Sequence, residues 1–231
     1  HLNRRCSQYI TDGNPSTLKA ELTYLLKGTY SVIVNIILPI PRTAIFHYHH
    51  FMDISKTKGS IFLAGPPCSG KTATGHILAS MLKYPFYDLD SLIEKKSASS
   101  IPDIFSRSGE EGFRKLESAE LHSLISSKHS FVIALGGGCL LSESNLQAAR
   151  QNGIIVTLTA SMEVLIKRFT LQKGSRPLAV TEEAFRGLMK TREEHYGSLS
   201  NIIDTSELTP GQTALEVLKR IGLRDFSYFK E

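Results

Sequence analysis

The chain is poor in the features that define several large protein classes. It has only three cysteines, Cys6, Cys68 and Cys139. An odd, sparse set is not a disulfide framework, and no C-x-x-C pair is present. Both facts argue against zinc and for a reducing compartment. Long apolar runs are also missing. The longest, Ser31 to Ile40, is about ten residues broken by Asn35 and Pro39, against the roughly 18–20 needed to span a bilayer. Charge of one sign is in weak excess, 27 Lys plus Arg against 22 Asp plus Glu. That excess is uneven, because residues 1–51 hold five basic and two acidic side chains and leave 22 against 20 elsewhere. With no Lys/Arg run, nucleic acid is not indicated, although a basic pocket for an anionic small molecule stays open. What remains is an ordinary globular composition, 41% hydrophobic and 21% charged over 231 residues, with room for one sizeable core.

The chain divides near residue 52. Residues 1–51 contain a turn signal at Asp12-Gly13-Asn14-Pro15, a helix-like stretch from Ser16 to Leu26 and a β-branched run from Val32 to Ile37. His47, His49 and His50 follow and read as scattered surface histidines. Met52 would serve as an initiator; a transit peptide is the rival reading of the preceding segment. From residue 60, strand-length apolar runs alternate with helix-length amphipathic segments. The pattern predicts strands at Ser60–Ala64, Pro85–Leu89, Phe131–Leu135, Gly153–Leu158 and Asn201–Asp204. Helices are expected over Gly70–Leu82, from Asp90, over Ile101–Ser106 and Glu110–Ser126, then Ser142–Arg150, Ser161–Phe169, Thr181–His195 and Thr209–Ile221. Gln172–Val180 reads as an irregular loop. This alternation implies an α/β domain with a central parallel sheet, whose ligands sit at the carboxyl ends of the strands.

The most specific motif is Gly65-Pro66-Pro67-Cys68-Ser69-Gly70-Lys71-Thr72, which matches G-x-x-x-x-G-K-[ST] between a strand and a helix. Inward-facing loop N–H groups and the helix N-terminus make an anion cradle. Lys71 then neutralises the β/γ-phosphates of a nucleotide, and the Thr72 hydroxyl takes a place on Mg²⁺. Asp88 and Asp90 end the second strand; on an extended segment they project to one side, where one holds the hydrated metal and the other takes a proton from an acceptor hydroxyl. Asp90 as a simple helix cap is the alternative. Gly136-Gly137-Gly138 lets a ligand approach the backbone, or is a flexible turn. Arg114 and Glu117 can meet on one helix face, as carboxylate receptor and partner or as a solvated ion pair. Arg176, in Arg176-Pro177-Leu178, suits a flap closing over phosphate, and Arg192 adds a second anion contact; either is otherwise a surface charge.

In this order and at these spacings, over residues 59–222, the motifs resemble shikimate kinase, a P-loop, nucleoside-monophosphate-kinase-like family. The supporting set includes Ile101-Pro102-Asp103-Ile104-Phe105, Gly109-Glu110 before Phe113-Arg114-x-x-Glu117, and Arg192 ahead of Tyr196 and Asp204-Thr205. The resemblance implies a three-layer P-loop kinase fold over residues 52–231, with a substrate-binding region about 88–118 and a lid about 172–181. It implies ATP-dependent phosphorylation of the shikimate 3-hydroxyl, a step towards chorismate and the aromatic amino acids. Lys71, Asp90 and Arg176 would be catalytic, with Asp90 holding the shikimate hydroxyls and acting as base. Thr72 and Asp88 would hold Mg²⁺, and the loop from Gly65 to Thr72, with Arg168 and Arg176, would bind nucleotide, Arg168 stacking on adenine. Arg114, Arg192 and the Gly136–Gly138 backbone would grip shikimate, Glu117 orienting Arg114, while Phe105 and Phe113 wall the pocket. A cytoplasmic monomer is expected, or a plastid protein if residues 1–51 are a transit peptide.

Cys68 departs from the family, which usually has glycine there. A positive φ would cost a cysteine about 1 kcal/mol, and a helix N-terminus beside the thiol would make it reactive. Another small P-loop kinase, for gluconate or a nucleotide, shares the phosphate loop but has less use for Asp90 with Arg114 and Arg192. A nucleotide-binding regulatory module would bind ATP without turnover.

Overall fold

The two faces of one strand decide the architecture. In β1 (Ser60–Ala64) every residue is buried, with Phe62 and Ala64 in one apolar cluster and Ile61 and Leu63 in another. A strand buried on both faces needs helices on both sides, which is the parallel α/β arrangement. The computed structural model describes residues 59–127, 129–171 and 181–222. β1 is followed by α1 (Lys71–Leu82), β2 (Phe86–Asp88), α2 (Leu89–Ser97), α3 (Ile101–Ile125) and β3 (Val132–Ala134). A 3₁₀ turn (Cys139–Leu141) leads into α4 (Glu143–Asn152), β4 (Gly153–Thr159), α5 (Met162–Leu171), α6 (Glu182–Ser198), β5 (Ile202–Asp204) and α7 (Pro210–Arg220).

All four strand pairings are parallel, in the order β2-β3-β1-β4-β5. β1 is central, and the chain crosses from it to both sides, so the crevice at its carboxyl end is where a ligand belongs. One core joins Phe62, Ile133 and Ile155 to α2, α3 and α4; the other joins Leu63, Val132 and Val156 to α1 and α7. A smaller cluster packs α5 on α6 through Leu165, Phe185 and Met189, with Phe169 stacked on Phe185 at 4.6 Å between centroids. No described helix is long and apolar enough to cross a membrane.

Local sequence sets the helix starts. The Asp88, Ser100 and Thr181 side chains accept N–H bonds from Ser91, Asp103 and Ala184 at their helix N-termini. Thr209 and Gln212 form a reciprocal capping box, with Pro210 in the first turn. Ile101–Ser106 and Glu110–Ser126 were expected as two helices; they run as one element, α3, broken only at Gly109 (φ 65°, ψ −175°). The second strand is shorter than Pro85–Leu89, because Asp88 already caps α2. The 3₁₀ turn after the three glycines was not anticipated. Residues 1–58, with Cys6, the three histidines, Met52 and the segment expected as a transit peptide, lie outside the described residues. So do the loop 172–180 and with it Arg176.

Candidate active site

The phosphate loop leaves β1 at Gly65, whose φ is +124°. A Cβ there would stand 2.0 Å from the Leu158 carbonyl oxygen on β4, so only glycine fits. Lys71, the first residue of α1, turns its Nζ back onto the carbonyls of Gly65 (3.0 Å) and Pro66 (2.7 Å), which holds its charge beside the loop. Cys68 sits in the left-handed region at φ 65°, the strained conformation expected for that position. Its side chain is buried with Leu165, Ile166, Phe185 and Met189. Cys68 thus borders the cleft while its side chain packs among these apolar groups.

Buried Thr205 and half-buried Arg168 brace this loop. The Thr205 hydroxyl, just past β5, lies 3.1 Å from the Ser69 carbonyl oxygen and 2.9 Å from that of Thr159. Arg168 on α5 donates to Thr205 Oγ1 (3.1 Å), the Thr205 carbonyl (2.8 Å) and the Cys68 carbonyl (3.4 Å). Arg168 thus grips the loop from below, a task additional to the stacking expected of it. Thr205 was noted only as part of a motif; its place at the carboxyl end of a strand was the available signal.

Asp88 and Asp90 do not share an extended segment as expected, since the strand stops at Asp88 and Asp90 lies in the first turn of α2. Leu89 between them is fully buried, which leaves both carboxylates on the side away from the core. Asp88 is the cap, through Oδ1, and its Oδ2 accepts the Thr72 hydroxyl at 2.7 Å. The helix-cap alternative applies to Asp88, not Asp90. A hydroxyl and a carboxylate so placed are the hard oxygen donors that Mg²⁺ prefers.

A cleft of about 470 Å³ joins these groups. Its lining takes in Cys68 to Thr74, Asp88, Asp90, Gly136, Gly137, Arg168 and Thr205, and it continues past Leu208, Pro210 and Thr213. Gly65, Pro66 and Pro67 support the loop from outside that lining. Arg114, Glu117, Gly138, Arg192, Phe105 and Phe113 also lie outside it and connect through the glycines.

Side chains crowd all three glycines. A Cβ on Gly136 would meet Glu117 Oε1 at 2.3 Å and Asp90 Oδ1 at 3.2 Å. On Gly137 it would meet Pro67 of the phosphate loop at 3.1 Å, and on Gly138 the Arg114 Nη2 at 2.6 Å. The Tyr196 hydroxyl donates to the Gly137 carbonyl at 2.7 Å and ties this loop to α6, one turn beyond Arg192. Asn145 holds the following turn by donating to the Cys139 carbonyl at 3.0 Å. The role of Tyr196 was not foreseen.

Arg114 Nη1 bonds Glu117 Oε2 at 2.7 Å, and Glu117 is fully buried, so this is not the solvated pair held open as the alternative. Burial pushes the Glu117 carboxyl up from its ordinary value; Arg114 opposes this and Asp90 adds to it. Among the described residues Glu117 Oε1 has no hydrogen-bond partner, and it faces the gap beside Asp90 and Gly136. Burial works against the charge of Arg114, but Glu117 and Glu110 outweigh it and hold the guanidinium firmly ionised. Arg114 also lies 5.3 Å over the Phe113 ring, and Phe105 packs on Phe113 at 4.8 Å. Arg192, almost fully buried on α6, brings its Nη2 within 3.9 Å of Glu110 Oε1.

A phosphate loop at the central strand, carboxylates at the cleft and a nearby arginine pair define a P-loop small-molecule kinase. The family model for shikimate kinase matches residues 67–222. The chain is 37% identical over 163 residues to the shikimate kinase of Thermoanaerobacter pseudethanolicus, covering 69% of this chain and 94% of that protein. The solved shikimate kinase from Acinetobacter baumannii in complex with shikimate is similar at 35% identity and a TM-score of 0.67, over 72% of this chain and 94% of that one. The Aquifex aeolicus shikimate kinase structure is similar at 32% identity and 0.59, over 70% and 95%. The chain belongs to the shikimate kinase family.

Proposed function

We propose that this chain is a shikimate kinase that transfers the γ-phosphoryl group of ATP to the shikimate 3-hydroxyl, with each step assigned to the residues above. ATP lies along the cleft with its phosphates at the N-terminus of α1, where loop N–H groups and Lys71 meet the negative charge. Thr72 and Asp88 would hold Mg²⁺, which supplies further charge neutralisation when bound. The cleft beyond Arg168, with Leu208 and Pro210, offers surface for the base.

Arg114 and Arg192 receive the shikimate carboxylate, and the Gly136–Gly138 backbone and Asp90 receive its hydroxyls. Glu117 keeps Arg114 in one orientation, so the acceptor is aligned before reaction. The 3-hydroxyl oxygen then bonds to the γ-phosphorus as the bond from that phosphorus to the β,γ-bridging oxygen breaks. ADP leaves with the electron pair, and the hydroxyl proton passes to Asp90. Arg176, assigned by the resemblance, meets the transferred phosphate.

The observation that carries this reading is the placement of Arg114, braced by buried Glu117, across Gly138 from the strand that also ends near Asp90. A nucleoside monophosphate brings no carboxylate to this arrangement, whereas gluconate does, so gluconate is separated from shikimate by the acceptor dependence of turnover. Phosphorus NMR of the product tests it directly. Phosphate on the 3-oxygen is expected; phosphate at another oxygen contradicts the assigned geometry.

A further inference from the structure

Two arginines assigned to one substrate carboxylate repel each other, and a third group offsets that repulsion. Glu110 lies one helical turn before Arg114 on α3. Its Oε1 accepts from Arg114 Nη2 at 2.9 Å and Nε at 3.3 Å. The same oxygen stands 3.9 Å from Arg192 Nη2 on α6. Glu117 uses a different part of the Arg114 guanidinium, Nη1. The two carboxylates differ in freedom, for the Glu117 side chain is 1% exposed and the Glu110 side chain 50%. Glu117 is a fixed brace, whereas Glu110 can swing into water at little cost. Its Oε1 marks a point that one carboxylate oxygen can occupy while facing both guanidinium groups.

We infer that Glu110 is an internal stand-in for the substrate carboxylate: it holds Arg114 and Arg192 together and is displaced when shikimate binds. The inference rests on the assignment of those arginines to the shikimate carboxylate. Displacement exchanges one carboxylate for another and breaks no covalent bond. It also sharpens selection, because a neutral analogue brings no charge to replace Glu110. An exposed ion pair of this kind is weak, so the stand-in lowers apparent shikimate affinity by about two- to fivefold.

The test is titration of the full chain with shikimate and with its neutral methyl ester, in wild type, Glu110→Gln and Glu110→Ala. Glu111→Gln, which removes only the exposed pair with Lys115, is the control. Shikimate should bind about two- to fivefold more tightly in both Glu110 variants, and with a steeper salt dependence, because a bare cation pair is then being neutralised. The methyl ester should not tighten. Unchanged or weaker shikimate binding overturns the inference, as does equal tightening of acid and ester. Arg114→Lys separates the underlying assignment. Unchanged shikimate affinity there refutes the role of Arg114, whereas weakened affinity there without gain in the Glu110 variants refutes the stand-in alone.

Discussion

The Thr205 hydroxyl reaches the Ser69 carbonyl oxygen at 3.1 Å, joining the end of β5 to the phosphate loop across 136 residues of chain. Arg168 closes the same connection by binding both Thr205 and Cys68. The loop is thus held from its outer side, and its strained Cys68 is kept in place by groups far away in sequence.

Thr205→Val removes that hydroxyl without changing shape. It leaves the Ser69 carbonyl and Arg168 each one partner short, which costs about 1–3 kcal/mol. A lowered Tm and a KM for ATP raised severalfold are expected, with a smaller change in the KM for shikimate. Thr205→Ser should restore both values. Equal effects on the two substrates would show that Thr205 serves general stability only.

Asp90→Asn keeps the shape of the acceptor site and removes the base. Turnover should fall about 10²- to 10⁴-fold, the usual worth of a positioned base, while nucleotide affinity stays near wild type. Single-turnover quench measurements isolate the chemical step. A variant retaining more than about a tenth of the rate takes the proton-transfer role away from Asp90.

Gly138→Ala places a Cβ 2.6 Å from Arg114 Nη2, the far end of a flexible side chain, so the protein should fold and Arg114 should shift. The KM for shikimate is expected to rise about tenfold or more, since small displacements of a positioning group are costly. Gly65→Ala is different, because its Cβ would meet backbone at 2.0 Å with φ at +124°. That variant should fail to fold. Circular dichroism and kinetics on the pair distinguish a displaced side chain from a broken loop.

Glu117 gives a pH dependence of definite sign. Burial, only partly offset by Arg114, raises its folded-state pKa above the ordinary 4.5. The folded protein then holds the proton more tightly than the unfolded chain. This contribution to stability is full below about 4.5 and is lost as pH rises through the folded value. Glu117→Gln cannot titrate. The Tm of wild type relative to this variant should therefore fall as pH increases through that window. A relative Tm that rises instead contradicts the burial argument.

What the sequence made legible was what is encoded locally. The phosphate loop, the alternation of strands and helices, the break at Gly109 and the Pro210 helix start all depend on neighbours within a turn or two. Asp88 and Asp90 were also readable, because they sit where β2 gives way to α2, and Arg114 with Glu117 because their spacing puts them on one helix face. The partners that fix them were not. Tyr196 acts on the Gly137 carbonyl 59 residues away, and Thr205 acts on Ser69 through the backbone, where residue identity leaves no pattern. Glu110 was visible in the motif, but its role depends on α6 lying beside α3. The strand assigned through Leu89 failed because a capping aspartate and a buried leucine start a helix as readily as they end a strand. For Cys68 the strain was foreseen and the surroundings were not, since the apolar groups come from α5 and α6.

The most direct test of the account is ADP release by the full chain with MgATP, measured with shikimate, gluconate, a nucleoside monophosphate or no acceptor. Turnover should depend on shikimate and stay near the acceptor-free rate with the other two. Faster turnover with gluconate or the nucleotide, or ATP binding with no shikimate-dependent turnover, would contradict the assignment of Arg114, Arg192 and Asp90 to shikimate.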